Sequence, residues 1–274
     1  MNARFFCLAA ALTLAPPAAQ AQTTLAQDNA GAAVYANGFA GLNGGTGFDA
    51  FNVVTSTPGG GSAGTFVYTA GQSEGDAANA AIDTGGLSFG TYASGLSVGA
   101  SDPSVTVTRT FATGPTVGDS FSLDFVGGYN DGGTVGVSLL GASGTFGSFV
   151  FQGGGPGVLF NGQSTGIGFV SGPTHLVYTV SSATTYSLTA TGADAFTGSG
   201  TFSGLITGFE FQQVNASGGV GTPATTGPDH NAYFNNLLET APAAAPVPEA
   251  SSSIGFGLLL AFGGIAAARR FLCS

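Results

Sequence analysis

Apolar and polar residues alternate along most of the chain. In "SVTVTRTF" Val105, Val107, Arg109 and Phe111 alternate with Thr106, Thr108 and Thr110. In "SFSLDF" Phe121, Leu123 and Phe125 alternate with Ser120, Ser122 and Asp124. "TVGVSL", "TYSLTA" and "GFEFQQV" repeat the pattern through Val135/Val137/Leu139, Tyr186/Leu188 and Phe209/Phe211. A period of two with one apolar face is the signature of an antiparallel strand buried on one side. Clusters of Gly, Asn, Asp and Ser, such as "GGYNDGG", "GASG" and "VNASGG", separate these runs as turns do. No segment between residues 22 and 240 has the 3.6-residue period of an amphipathic helix, and no internal repeat stands out. The pattern predicts an all-β antiparallel sandwich of jelly-roll type over residues 22–240.

Both ends break the alternation. Arg4 precedes an apolar run from Phe5 to Ala15, and Ala19-Gln20-Ala21 has the small-x-small form of a signal cleavage site. Residues 1–21 therefore read as a signal peptide cut after Ala21. At the other end, residues 241–250 form a Pro/Ala-rich linker containing Val247-Pro248-Glu249. Residues 251–270 read as a transmembrane helix. As helix, Ser251–Ala268 spans about 27 Å, close to the roughly 30 Å of a bilayer core. Arg269 and Arg270 follow at once and by the positive-inside rule stay cytoplasmic, with the sandwich outside.

Composition sharpens this picture. Charged residues make up 7% of the chain, there are 48 glycines, and there is neither Trp nor Lys. Residues 22–248 hold thirteen acids and one base, Arg109, a formal charge of −12. Such a body repels nucleic acid and anionic membrane surfaces, so neither is an expected partner. Cys7 and Cys273 lie in the terminal segments, so no disulfide framework supports the sandwich. Stability is left to the core. Arg109 falls on the apolar phase of its strand, and an unpaired buried charge is costly, so it is expected to pair with a carboxylate.

No credible catalytic set emerges. Gly-x-Ser-x-Gly occurs five times, which in a Gly/Ser-rich chain identifies nothing, and none precedes a helical pattern. Only His175 and His230 are available as bases. The body's glutamates are Glu74, Glu210 and Glu239, and Glu210 is expected on a solvated strand face opposite Phe209 and Phe211. Hard-oxygen donors for Ca²⁺ occur in two stretches. "SEGDAANAAID" offers Glu74, Asp76, Asn79 and Asp83, and "GPDHNAYFNN" offers Asp229, Asn231, Asn235 and Asn236. Neither has EF-hand spacing, and Asx-turn bonding explains the same residues. With no Trp, aromatic stacking on a sugar would fall to some of the seven tyrosines.

The order of linker, Val247-Pro248-Glu249, short apolar helix and Arg269-Arg270 resembles the PEP-CTERM sorting tail of exopolysaccharide-producing Gram-negative bacteria. Ala250 stands where that family has its second proline. The resemblance implies an exosortase-type processing enzyme as partner, the inner membrane as an intermediate station, and the cell surface or extracellular matrix as destination. A plain C-terminal anchor is the alternative. Over residues 33–240, "YANGFAGLNGGTGFDAF" and "TYSLTATG…TFSGLITGFEFQQV…NAYFNNLLE" resemble the first and closing strands of concanavalin- and laminin-G-like jelly rolls. The clustered Glu-x-Asp-x-x-Glu of jelly-roll glucanases is missing. The expectation is a secreted or surface-displayed non-enzymatic protein, a structural or adhesive component of an extracellular polysaccharide or biofilm matrix. A lectin-like carbohydrate-binding module is the alternative.

Overall fold

The computed structural model describes residues 22–58, 61–69, 82, 86–94, 102–127, 132–168, 172–192, 195–214 and 231–243. Thr23–Pro242 forms one compact unit. Its strands, in chain order, begin with β1 (Thr23–Asp28), β2 (Asn52–Ser56), β3 (Ser62–Thr69), β4 (Leu87–Ser94) and β5 (Ser104–Thr110). They continue with β6 (Ser120–Val126), β7 (Thr134–Gly141), β8 (Gly144–Gln152), β9 (Gly157–Phe160) and β10 (Gln163–Ser164). The last are β11 (Thr174–Ser182), β12 (Thr185–Gly192), β13 (Phe196–Thr201), β14 (Ile206–Val214) and β15 (Ala232–Ala241). Helical content among the described residues is 3₁₀ only, in the turn Ala33–Tyr35 and at Pro58.

The strands form two antiparallel sheets. One runs β13-β12-β11-β6-β15-β4-β3, with β1 also pairing to β15; the other runs β10-β9-β8-β7-β14-β5-β2. The chain passes from β4 in the first sheet to β5 in the second, back to β6, and on to β7, so consecutive strands interleave the layers. The expected all-β sandwich is present. Among the described residues no helix is long and apolar enough to cross a membrane, and residues 251–270 lie outside them.

Alternation creates the core. In β5 Val105, Val107 and Arg109 are buried while Ser104, Thr106 and Thr108 are half-buried. Phe39, Phe89, Phe125, Phe149, Phe209, Phe211 and Phe234 are all fully buried. Their rings interlock: Phe211 stacks on Phe234 at 4.7 Å, Phe121 on Phe209 at 4.9 Å, and Phe39 meets Phe89 edge-on at 4.9 Å. Each fully buried ring contributes about 1.5–3 kcal/mol by transfer from water, which is how the sandwich stands without disulfides. Residues 29–51 cross from β1 to β2 and close one side of the sandwich with Tyr35, Phe39, Phe48 and Phe51, all within 3% exposure.

Arg109 binds that closure to both sheets. Its guanidinium pairs with Asp28 on β1, donates to the Asn43 side chain, and donates from Nε to the Asp49 carbonyl at 2.8 Å. It also lies 4.7 Å from the Phe48 ring centre and 4.2 Å from that of Phe51. The Tyr35 hydroxyl donates to the same Asp28 carboxylate and accepts from the Gly44 N–H at 2.6 Å. Burial and the Asp28 bond push the Tyr35 phenol up to about 12. The expected carboxylate partner of Arg109 is therefore Asp28, and the pair is 0% and 1% exposed in its side chains.

One irregularity re-aims a strand. Between Asn235 and Leu238, β15 carries an extra residue against β6, with Asn236 in the left-handed region at φ 54°. A bulge of one residue reverses the alternation beyond it. Phe234 faces the core before the bulge, and Glu239 faces it afterwards, in register with Phe121 and Ala26. Glu239 is 1% exposed, its Oε1 has no hydrogen-bond partner, and burial with nearby Asp119 pushes its carboxyl up to about 7.

Candidate functional site

The outward face of the seven-stranded sheet carries a transverse polar row. Antiparallel register aligns Asn52 on β2 with Thr108 on β5, Thr108 with Glu210 on β14, and Glu210 with Ser138 on β7. Ser138 Oγ lies 2.8 Å from Ser148 Oγ on β8, which continues the line. Partners directly across strands share a face, so five polar side chains stand side by side. Four interstrand spacings make the row about 19 Å long. A parallel line beside it holds Val54, Thr106, Gln212, Gly136, Val150 and Leu159. The face thus sets hydroxyl, amide and carboxylate groups next to aliphatic ones.

Glu210 occupies the middle of the row. It does lie opposite Phe209 and Phe211, as the sequence indicated, but it is half-buried rather than freely solvated, because a central strand has neighbours on both sides. Burial raises its carboxyl pKa. Among the described residues no group bonds to or pairs with it. Asn52 donates to Thr108 Oγ1 at 3.2 Å, and each hydroxyl in the row keeps capacity for a further bond.

The outward face of the eight-stranded sheet differs. Asp124 on β6 accepts from Asn236 Nδ2 at 2.7 Å and holds His175 Nδ1 at 2.7 Å. The bond to Asp124 raises the His175 pKa, and partial burial opposes it. Asn235 donates from Nδ2 to the carbonyls of Ile82 and Leu87 at 2.8 and 3.0 Å, and its Oδ1 accepts from the Ala30 N–H at 2.9 Å. Tyr68, Ile82, Val126 and Tyr233 form a second small core on this side, with Phe66 packed against it.

The sequence candidates scatter. Asn231 is 3% exposed at the head of β15, Asn235 is spent on its three backbone bonds, and Asn236 serves Asp124. Glu74, Asp76, Asn79, Asp83, Asp229 and His230 lie outside the described residues. So do the signal-site alanines Ala19 and Ala21, the motif Val247-Pro248-Glu249, and Arg269 and Arg270. Among the described residues no three of His, Cys, Asp and Glu gather as a metal would need. The tyrosines do not form a stacking platform there: Tyr35, Tyr68, Tyr178, Tyr186 and Tyr233 are buried, and Tyr92 is half-buried. Tyr178 and Tyr186 occupy the core-facing phase of their strands, Tyr35 fills the core from the 3₁₀ turn, and Tyr68 and Tyr233 are buried in the second small core. Among the described residues no hydroxyl bonds to His175. Glu239 and Asp119, carboxylates near enough to interact, are sealed at 1% and 5% exposure, out of reach of a sugar bond.

No family model and no curated protein matches the chain. Among solved structures it is similar to an endo-β-1,4-glucuronan lyase from the fungus Trichoderma reesei, with TM-score 0.43 and 8% identity over 72% of this chain and 93% of that one. It is also similar to the carbohydrate recognition domain of Emp47p, with TM-score 0.36 and 12% identity over 84% and 100%. A family 11 carbohydrate-binding module from Clostridium thermocellum, in complex with a mixed-linked tetrasaccharide, gives TM-score 0.32 and 8% identity over 81% and 98%.

Proposed function

We propose that this protein is an exported, non-enzymatic β-sandwich that serves as a structural or adhesive component of an extracellular polysaccharide matrix, contacting the polymer through the outward face of its seven-stranded sheet. The observation that carries this reading is the row Asn52–Thr108–Glu210–Ser138–Ser148, flanked by Val54, Val150 and Leu159. Sugars present hydroxyls at their edges and C–H groups on their faces, and this surface offers a partner for each. With no tyrosine platform among the described residues, the contact is hydrogen-bonded rather than stacked. The signal peptide and the Val-Pro-Glu tail supply the route: export, a stop in the inner membrane of a Gram-negative bacterium, and processing by an exosortase-type enzyme.

Recovery of the protein from the native host tests this reading. The expected species in the extracellular polysaccharide fraction begins at Gln22, ends near Val247–Ala250 by intact mass, and is released when the polysaccharide is depolymerised. A full-length chain held in the membrane, or a body free in the medium that ignores the polysaccharide, would overturn it.

A further inference from the structure

We infer that the seven-stranded face selects a basic amino polysaccharide, one bearing unacetylated amines, over neutral or uronate-bearing polymers. The inference rests on the polysaccharide reading above and deepens it. Two independent facts carry it. The first is Glu210: a carboxylate at the centre of a hydroxyl row, half-buried, with no partner among the described residues. A carboxylate so placed leaves its strongest bond unmade, and a protonated amine completes it with a charge-assisted hydrogen bond. The half-buried Thr108 hydroxyl beside it suits a neighbouring sugar hydroxyl, while the buried Ser138 is held by Ser148.

The second fact is the supply of positive charge. The chain has no lysine, and Arg4, Arg269 and Arg270 lie in the terminal segments. Arg109 is 1% exposed and committed to Asp28. His175 faces outward from the other sheet and is held by Asp124. Thus the described surface offers a polyanion no arginine or lysine, while residues 22–248 carry −12. Uronates are repelled over the whole body, and amines are drawn to it and find Glu210 in the row.

The test uses the full chain purified in detergent and compares glucosamine oligomers, their N-acetylated counterparts and an oligouronate of matched length at near-neutral pH. The expected result is at least about tenfold tighter binding of the amine form than of the acetylated one, weakening with salt, with no measurable uronate binding. Glu210→Gln, which keeps size but removes the charge, should abolish the preference, so that amine and acetylated oligomers bind the variant alike. Equal binding of amine and acetylated oligomers, or a preference that survives Glu210→Gln, overturns the inference and leaves the polysaccharide reading standing. Failure of every oligomer and of the host's own polysaccharide overturns both.

Discussion

The two outward faces of this sandwich spend their polar groups differently. On the eight-stranded sheet Asp124 is taken by His175 and Asn236, Asn235 makes three backbone bonds, and Ser120 pairs with Thr179 at 2.9 Å. Part of that face is roofed into a second core by Tyr68, Ile82, Val126 and Tyr233. On the seven-stranded sheet the central Glu210 has no partner among the described residues, and the hydroxyls beside it are only partly engaged. Satisfied groups stabilise a fold; unsatisfied ones on an accessible face are available to a ligand. The eight-stranded face thus does structural work, and the seven-stranded face is the one proposed for recognition.

The largest effect should come from cutting the tie between the sheets. Arg109→Met leaves Asp28 buried without its cation and strips Asn43 of a donor, and breaking a buried pair from one side costs about 3–5 kcal/mol. The melting temperature should fall by roughly 10 °C in a single transition, both sheets together. A shift within a degree or two would mean that Arg109 is not the clasp the contacts describe.

Glu239 distinguishes a buried carboxylate from the half-open Glu210. Its folded pKa is raised from 4.5 to about 7, so the folded protein keeps a proton that the unfolded chain releases. Its contribution to stability is therefore complete below pH 4.5 and is lost as pH rises through about 7. Glu239→Gln is neutral throughout and should remove that decline, gaining up to about 3 kcal/mol above pH 7 without touching polysaccharide binding. Chemical denaturation across pH would show it. An unchanged pH profile would place the proton elsewhere.

The smallest effect belongs to His175. Its pKa is raised by Asp124, so its contribution is complete below the ordinary value of 6.5 and is lost as pH climbs through the folded one. The pair is partly exposed, and His175→Ala should cost under about 1 kcal/mol even in acid. Polysaccharide retention should be unaffected, since the proposed contact lies on the other face. A marked loss of retention would reverse the assignment of the faces.

Much of the fold was legible because alternation reports burial directly. Val105–Phe111, Phe121–Phe125 and Phe209–Phe211 all face the core on the phase the sequence shows, and Arg109 on that phase pointed to an internal carboxylate. Glu239 was not legible, because the bulge at Asn236 reverses the phase of β15 and a strict period of two cannot register it. The polar row was hidden for a different reason. Asn52, Thr108, Glu210, Ser138 and Ser148 come from five strands, and only strand order and register bring them together. Each alone reads as an ordinary solvent-face residue; the one signal present was the Thr106–Thr108–Thr110 ladder on β5. Asn235, by contrast, looked like a cation donor and is a backbone clamp.

The most direct measurement blocks one face at a time. Cys7 and Cys273 are the chain's cysteines, so a background with both changed to serine accepts a single new thiol cleanly. Gln212→Cys places it on the seven-stranded face two residues from Glu210, and Thr189→Cys places it on the outward face of the eight-stranded sheet. Each is capped with a bulky maleimide, and retention by the host polysaccharide is measured. The account predicts that the cap at position 212 abolishes retention and the cap at 189 leaves it intact. Loss at 189 with retention at 212 would contradict it.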